Sequence, residues 1–203
     1  MQYPTTSSIM NLQRHLYRQK RDVKRCDVFI NHRGTDTKRT LVTLLYDNLT
    51  RLNLRPFLDN KTMKPGDKLF DHINSAIRSC KLGVAVFSPN YCESYFCLHE
   101  LALFMESKKK VIPIFCDIKR SELRVVNNGV YPEKDVLRFN QALEEAKYTN
   151  GLVFDSLKGN WSEVVNSASD MIIRSLIEIE NQARMDQLNI QMHQLMKHYT
   201  TST

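Results

Sequence analysis

Apolar residues along this chain fall into short runs, separated by stretches where they recur every three or four positions. The runs are 26–30, 55–58, 82–87, 111–115 and 151–154, each bounded by polar, glycine or proline residues. Continuous apolar runs of this length, closed by turn residues, read as strands buried on both faces. The stretches between them read as helices with one apolar face. Leu41, Leu44, Leu45, Leu49 and Leu52 mark the first. Ile73, Ala76 and Ile77, following Leu69, mark the second. Leu98, Leu101, Ala102 and Met105 mark the third, and Phe139, Leu143 and Ala146 the fourth. A last one starts at Asn160 and carries Val164, Val165, Ala168, Ile172 and Leu176. Five strands alternating with helices predict an α/β fold, a five-stranded parallel sheet with helices on both faces.

Punctuation supports these elements. Gly34 permits a tight turn after the first strand, and Asp36 is placed to cap the helix that follows. Pro65-Gly66 turns the polar segment 59–67, with Asp67 as the next cap. Ser88-Pro89-Asn90 ends the third strand. Lys108, Lys109 and Lys110 suit a helix C-terminus. Pro113 inside the fourth run is an anomaly for a central strand.

The pattern divides the 203 residues into a basic N-terminal extension (1–24), one α/β domain (25–179) and a C-terminal helical extension (180–203). No glycine or proline follows Trp161, so the last helix is expected to run past the domain. Met185, Leu188, Met192, Leu195 and Tyr199 form a short heptad-like seam of about two heptads, fewer than a coiled coil needs. It reads either as a contact surface or as a solvated tail. Part of the net charge of +7 sits in Arg14, Arg18, Lys20, Arg21, Lys24 and Arg25. Such an arm suits anionic lipid or nucleic acid, or is simply solvated; no aromatics are interleaved to stack on bases. The five cysteines are odd in number and lack a Cys-x-x-Cys pair. They read as packed, reduced thiols of a cytoplasmic or nucleocytoplasmic protein, with no metal site. No apolar run approaches a membrane span, and no signal-peptide core is present.

The chemistry concentrates in 88–103. Glu100 lies off the apolar stripe of its helix, with Phe96, Cys97, Leu103 and Phe104 one turn away. It follows the C-terminal end of a central strand, where open α/β sheets place ligands. The alternative is an ordinary solvated helix glutamate. His32 and Arg33 follow the first strand and share that rim. Arg33 suits either a phosphate or a surface ion pair; His32 either stacks on a ligand or is a loop histidine. No Walker loop, Gly-x-Gly-x-x-Gly fingerprint or nucleophile elbow occurs.

Tyr91, Ser94, Phe96, Cys97, Leu98, Glu100 and Leu101 together resemble the signature segment of plant TIR (Toll/interleukin-1 receptor) domains. Asp27-Val28-Phe29 followed by Arg33, Gly34, Asp36 and Thr37 resembles the first box of that family, with Asn31-His32 where the family has Ser-Phe. Segment 59–67 is similar to the BB loop, with Lys64 before Pro65-Gly66. Three boxes in the right order span 25–179. Lys119 to Arg124 lacks the proline usual there, and Phe139 replaces a common tryptophan. Nothing after 179 resembles a nucleotide-binding or leucine-rich-repeat module, so the expectation is a TIR-only plant protein.

The resemblance implies a three-layer flavodoxin-like fold and an NAD(P)-cleaving activity in plant innate immunity, with Glu100 as its catalytic residue. It implies a substrate rim of His32, Arg33, Gly34, Lys64, Ser94 and Phe96, with NAD or NADP as substrate, no further cofactor and no metal. The chemistry is consistent with one carboxylate. Nicotinamide leaves from a cationic pyridinium, so no general acid is needed, and the ribose develops oxocarbenium character. The resemblance also implies self-association through TIR–TIR contacts and downstream lipase-like immune signalling proteins reached through nucleotide products. Thr43-Leu44 stands where the family carries a Ser-His pair on one self-association surface. The rival reading is a non-catalytic TIR adaptor. A phosphoreceiver is disfavoured because the strand ends lack an acidic cluster.

Overall fold

The computed structural model describes residues 26–58, 69–125, 129 and 131–201. The basic arm, and the 59–68 segment with Lys64, Pro65, Gly66 and Asp67, lie outside the described residues.

Five strands form one parallel sheet: β1 Val28–His32, β2 Pro56–Phe57, β3 Leu82–Phe87, β4 Lys110–Cys116 and β5 Leu152–Phe154. Their order is β2-β1-β3-β4-β5. The helices are α1 Gly34–Thr37, α2 Thr43–Arg51, α3 Leu69–Ser79, α4 Tyr95–Glu106, α5 Glu133–Tyr148 and α6 Trp161–Thr201. This is the expected α/β sandwich of three layers.

Strand alternation divides the apolar residues between the layers. Phe29, Ala85, Phe87 and Phe115 join α3, α4 and α5 in one core. Val28, Ile30, Val84, Val86 and Ile114 join α2 and the first part of α6 in the other. Gly83 is needed for the close approach of α4, since a Cβ there would sit 2.8 Å from the Phe104 ring. Pro113 is tolerated because the ladder to β5 begins only at Ile114. The β4–β5 crossing is tight, with a Cβ on Gly151 landing 2.1 Å from the Pro113 carbonyl oxygen. At the other end of the sheet, Asp27 takes Arg55 Nε and Nη2 at 2.9 and 3.0 Å and Lys81 Nζ at 3.2 Å.

Several local expectations are corrected. Asn31 and His32 belong to β1 rather than to the loop after it. Gly34 opens α1 without positive φ, and a Cβ there would meet only Lys38 Cδ at 3.8 Å, so the turn does not require glycine. Asp36 caps no helix; α1 starts after Arg33, without a side-chain cap. The Asp36 carboxylate instead reaches the β3 loop, accepting from Ser88 Oγ at 2.6 Å and from Asn90 N and Nδ2 at 3.1 Å. The first long helix is broken at Thr40 (φ −126°, ψ −110°) within a π segment at Lys38–Val42. Leu44 and Leu52 are exposed rather than core residues. The last helix runs 41 residues, capped at its start by Asn160 Oδ1, which accepts from Ser162 N at 3.0 Å.

Candidate active site

The chain steps from β1 outward to β2, then crosses back to β3 on the other side of β1. The strand order therefore reverses between β1 and β3, where a crevice opens at the strand C-termini. Both flanks of this point carry the residues singled out above.

The β3 flank is built by a short 3-10 turn at Tyr91–Glu93 and then α4. Ser94 starts α4: its backbone is extended (φ −96°, ψ 114°), and its Oγ accepts from Cys97 N at 3.3 Å. This is ordinary N-capping geometry, which satisfies one of the orphan donors of the first turn. The helix is embedded on more than one side. Cys97, Leu98, Leu101, Ala102, Leu103 and Phe104 are all buried, and Glu100 among them is only 8% exposed. The expectation of an apolar stripe with Glu100 beside it was thus too narrow, and Glu100 is not a solvated helix glutamate.

A carboxylate so enclosed needs a donor, and the β1 flank supplies one. Asn31 Nδ2 donates to Glu100 Oε2 at 2.7 Å and to the Cys97 carbonyl at 3.1 Å. Asn31 Oδ1 in turn accepts from the Tyr91 hydroxyl, which also lies 3.1 Å from the Cys97 carbonyl. Cys97 Sγ donates to the His32 carbonyl at 3.3 Å, a further tie between α4 and β1. Tyr91 and Asn31 are fully buried.

The electrostatics keep most of this cluster neutral. Burial pushes the Cys97 thiol up to about 12 and Cys92 to about 11, so neither is a thiolate nucleophile. Burial likewise holds the Tyr91 phenol well above its ordinary value, keeping its proton available for donation. Asp36 is held below the usual carboxylate range: burial opposes this, but hydrogen bonds from Ser88 and Asn90 outweigh it.

The other expected residues spread around this centre. Arg33 immediately follows β1; its Nε is enclosed and meets no acceptor among the described residues. Phe96 is 40% exposed and stacks on Phe70 at 5.0 Å between centroids, with Tyr95 edge-on at 6.3 Å. His32 is buried, its Nδ1 3.3 Å from the Ile30 carbonyl. Alternation along β1 sets His32 on the face of Val28 and Ile30, opposite Asn31. The structure therefore gathers Glu100 and Ser94 with Asn31 and Tyr91, sets Phe96 and Arg33 at the rim, and turns His32 away. Asn31 and Tyr91 were not singled out as site residues from sequence. The available signal was Asn31 itself, a polar residue extending the buried alternation begun by Phe29.

A parallel α/β domain with an enclosed carboxylate at its topological switch point is the class that fold and site define. Residues 26–191 match the TIR domain family, and the chain belongs to it. A probable 2' cyclic ADP-D-ribose synthase, BdTIR, of Brachypodium distachyon is 49% identical over 166 residues, covering 80% of this chain and 74% of that protein. The TMV resistance protein N of Nicotiana glutinosa is 37% identical over 102 residues, 48% of this chain but 9% of its own length. Among solved structures, the TIR domains of the activated Roq1 resistosome, which directly recognizes the pathogen effector XopQ, superpose with a TM-score of 0.64 at 30% identity. They cover 72% of this chain and 99% of that one.

Proposed function

We propose that this chain is an NAD(P) nucleosidase that breaks the bond between nicotinamide and ribose, with Glu100 as the carboxylate facing the reacting sugar. The observation that carries this reading is the enclosed Glu100–Asn31 pair at the switch point. An enclosed anion in a crevice of low polarity interacts strongly with a developing cation. Nicotinamide takes the bonding electron pair and leaves neutral, and the oxocarbenium ion is the cation stabilised. Capture by water gives linear ADP-ribose; capture by a hydroxyl of the same molecule gives a cyclic product. The name of the Brachypodium relative supports the cyclic outcome.

Arg33, with its enclosed Nε, suits a phosphate of the dinucleotide. Phe96, exposed beside Phe70, offers an aromatic wall for the nicotinamide or ribose. Activity depends on self-association, as the resistosome assembly of a related domain suggests. The products act as immune signals read by lipase-like partners in a plant cell, and the five buried free thiols suit its reducing cytoplasm. The adaptor reading accounts for the enclosed carboxylate only as an anchor between α4 and β1.

Nicotinamide release from NAD and from NADP by the purified chain, followed over a thousandfold range of protein concentration, tests this. Release with specific activity rising on concentration is expected. A folded, concentrated protein that releases no nicotinamide from either dinucleotide overturns the reading.

A further inference from the structure

Asn31 stands on the central parallel sheet, between β2 and β3, with no exposed surface. Burying an amide there is costly unless its groups are bonded. Its groups are bonded in one particular sense. The Tyr91 hydroxyl donates to Oδ1, while Nδ2 donates to the Glu100 carboxylate and to the Cys97 carbonyl. The opposite amide orientation would aim Oδ1 at Glu100 Oε2 across 2.7 Å, acceptor against acceptor. The Glu100 carboxylate and the Cys97 carbonyl, which only accept, thus set the amide's orientation, and the Tyr91 hydroxyl, kept protonated by burial, completes it by donating to Oδ1.

We propose that Asn31 is the positioning residue for Glu100: its amide, held at Oδ1 by the Tyr91 hydroxyl, holds one carboxylate oxygen through Nδ2 and favours the ionised form that the sugar cation requires. This rests on the reading of Glu100 as the reacting carboxylate. Three further observations agree with it. Asn31 and Glu100 are 69 residues apart and belong to the two flanks of the switch point, so their bond fixes the helix to the sheet at the crevice. Nδ2 and the Tyr91 hydroxyl both reach the Cys97 carbonyl, in the turn just before Glu100, which pins the helix backbone as well as the side chain. The bond is also charge-selective, because an N–H donor stabilises the carboxylate over the carboxylic acid.

The titratable neighbours are compatible with that role. From the 3-10 turn and α4 come Tyr91, Cys92 and Cys97, all held neutral by burial. From the segment after β1 come Arg33 and Asp36, which act with opposite sign on Cys97, while His32 belongs to the other face of the sheet. Asn31 is a neutral donor placed directly on the carboxylate.

The test uses the full chain, labelled with [13Cδ]-glutamate, in wild type, Asn31→Asp and Tyr91→Phe. The Glu100 carboxyl signal is identified by its loss in Glu100→Gln. In Asn31→Asp, nearly isosteric, a second carboxylate replaces the donor. The Glu100 titration midpoint is expected to rise by about one pH unit or more. The acid limb of kcat for nicotinamide release should move up with it, lowering kcat roughly tenfold at a fixed pH on that limb, with the plateau rate and KM little changed. Tyr91→Phe keeps the ring and frees the amide; it should shift the midpoint in the same direction by less, with kcat falling and KM held. An unmoved Glu100 midpoint in both folded variants overturns the proposal, as does a loss of activity that tracks melting temperature with an unchanged pH profile. A midpoint that moves in a protein releasing no nicotinamide supports the positioning role and discards the NAD reading.

Discussion

Replacing Glu100 by glutamine and by alanine separates what the carboxylate does for the fold from what it does for chemistry. Glutamine fills the same space, and its carbonyl oxygen can accept the Asn31 amide in place of Oε2, now at 2.7 Å. Its stability should match that of the parent. Alanine removes the acceptor from a site only 8% exposed and leaves Nδ2 with the Cys97 carbonyl alone. A buried polar group deprived of a partner costs about 1–3 kcal/mol. For a domain of this size each kcal/mol lowers Tm by about 2–4 °C, so the alanine variant should melt roughly 2–12 °C lower. Both variants remove the negative charge, and the loss of one such electrostatic contribution costs on the order of a hundredfold or more in kcat. Nicotinamide release by chromatography and melting by scanning fluorimetry, on the same preparations, give both quantities. A glutamine variant that releases nicotinamide at the parent rate refutes the catalytic assignment. A glutamine variant that melts as low as alanine refutes the account of the buried hydrogen bond.

Four further outcomes follow from the geometry. Phe96→Ala, at a ring 40% exposed, should lower nicotinamide release by roughly tenfold with little change in Tm; unchanged kcat/KM removes Phe96 from the substrate wall. Ser94→Ala should cost about 1 kcal/mol through the lost cap, and Ser94→Asp should restore it; lost activity at full stability in the alanine variant would instead mean that the hydroxyl touches substrate. Asp27 is held below the usual carboxylate range, burial pushing it up but bonds from Arg55 and Lys81 pulling it further down. Its contribution is therefore complete above the unfolded value of about 3.9 and lost as pH falls through the folded value, so the Tm gap between parent and Asp27→Asn should narrow below about pH 4. Removing the chain after Glu180 retains the Lys81–Glu180 bond but deletes the exposed Met185, Leu188, Met192 and Leu195; the rise of specific activity with concentration should move to higher concentration, and an unmoved curve assigns the tail to solvent.

The strands and their parallel arrangement were legible because five apolar runs lie between helical stretches, and a run buried on both faces has few other homes. Glu100 was legible as a candidate through its position after β3 and through the TIR boxes. Its enclosure was not, because helical periodicity reports one face and α4 is covered on several. A donor to it comes from β1, and no local pattern records a bond across 69 residues. The same limit explains Asp36: its spacing suited a cap, but its carboxylate is taken by Ser88 and Asn90 from a distant loop. The break at Thr40 has no signature in the apolar spacing around it. Ser94 was legible as a residue of the motif, whereas its capping bond emerged only with the helix start.

The last helix has a consequence for how such a domain can be joined to anything else. It is continuous from Trp161 to Thr201, so its two ends share one screw axis of about 60 Å. Its first half is keyed into the sheet by Val165, Ala168 and Ile172. The azimuth of Met185, Leu188 and Met192 is therefore geared to the crevice. One residue inserted between 180 and 184 would rotate that row by about 100°, whereas seven would return it to within about 20° of its former bearing. The tail thus behaves as an indexed shaft, and its length can drift in evolution or design by whole heptads far more freely than by single residues.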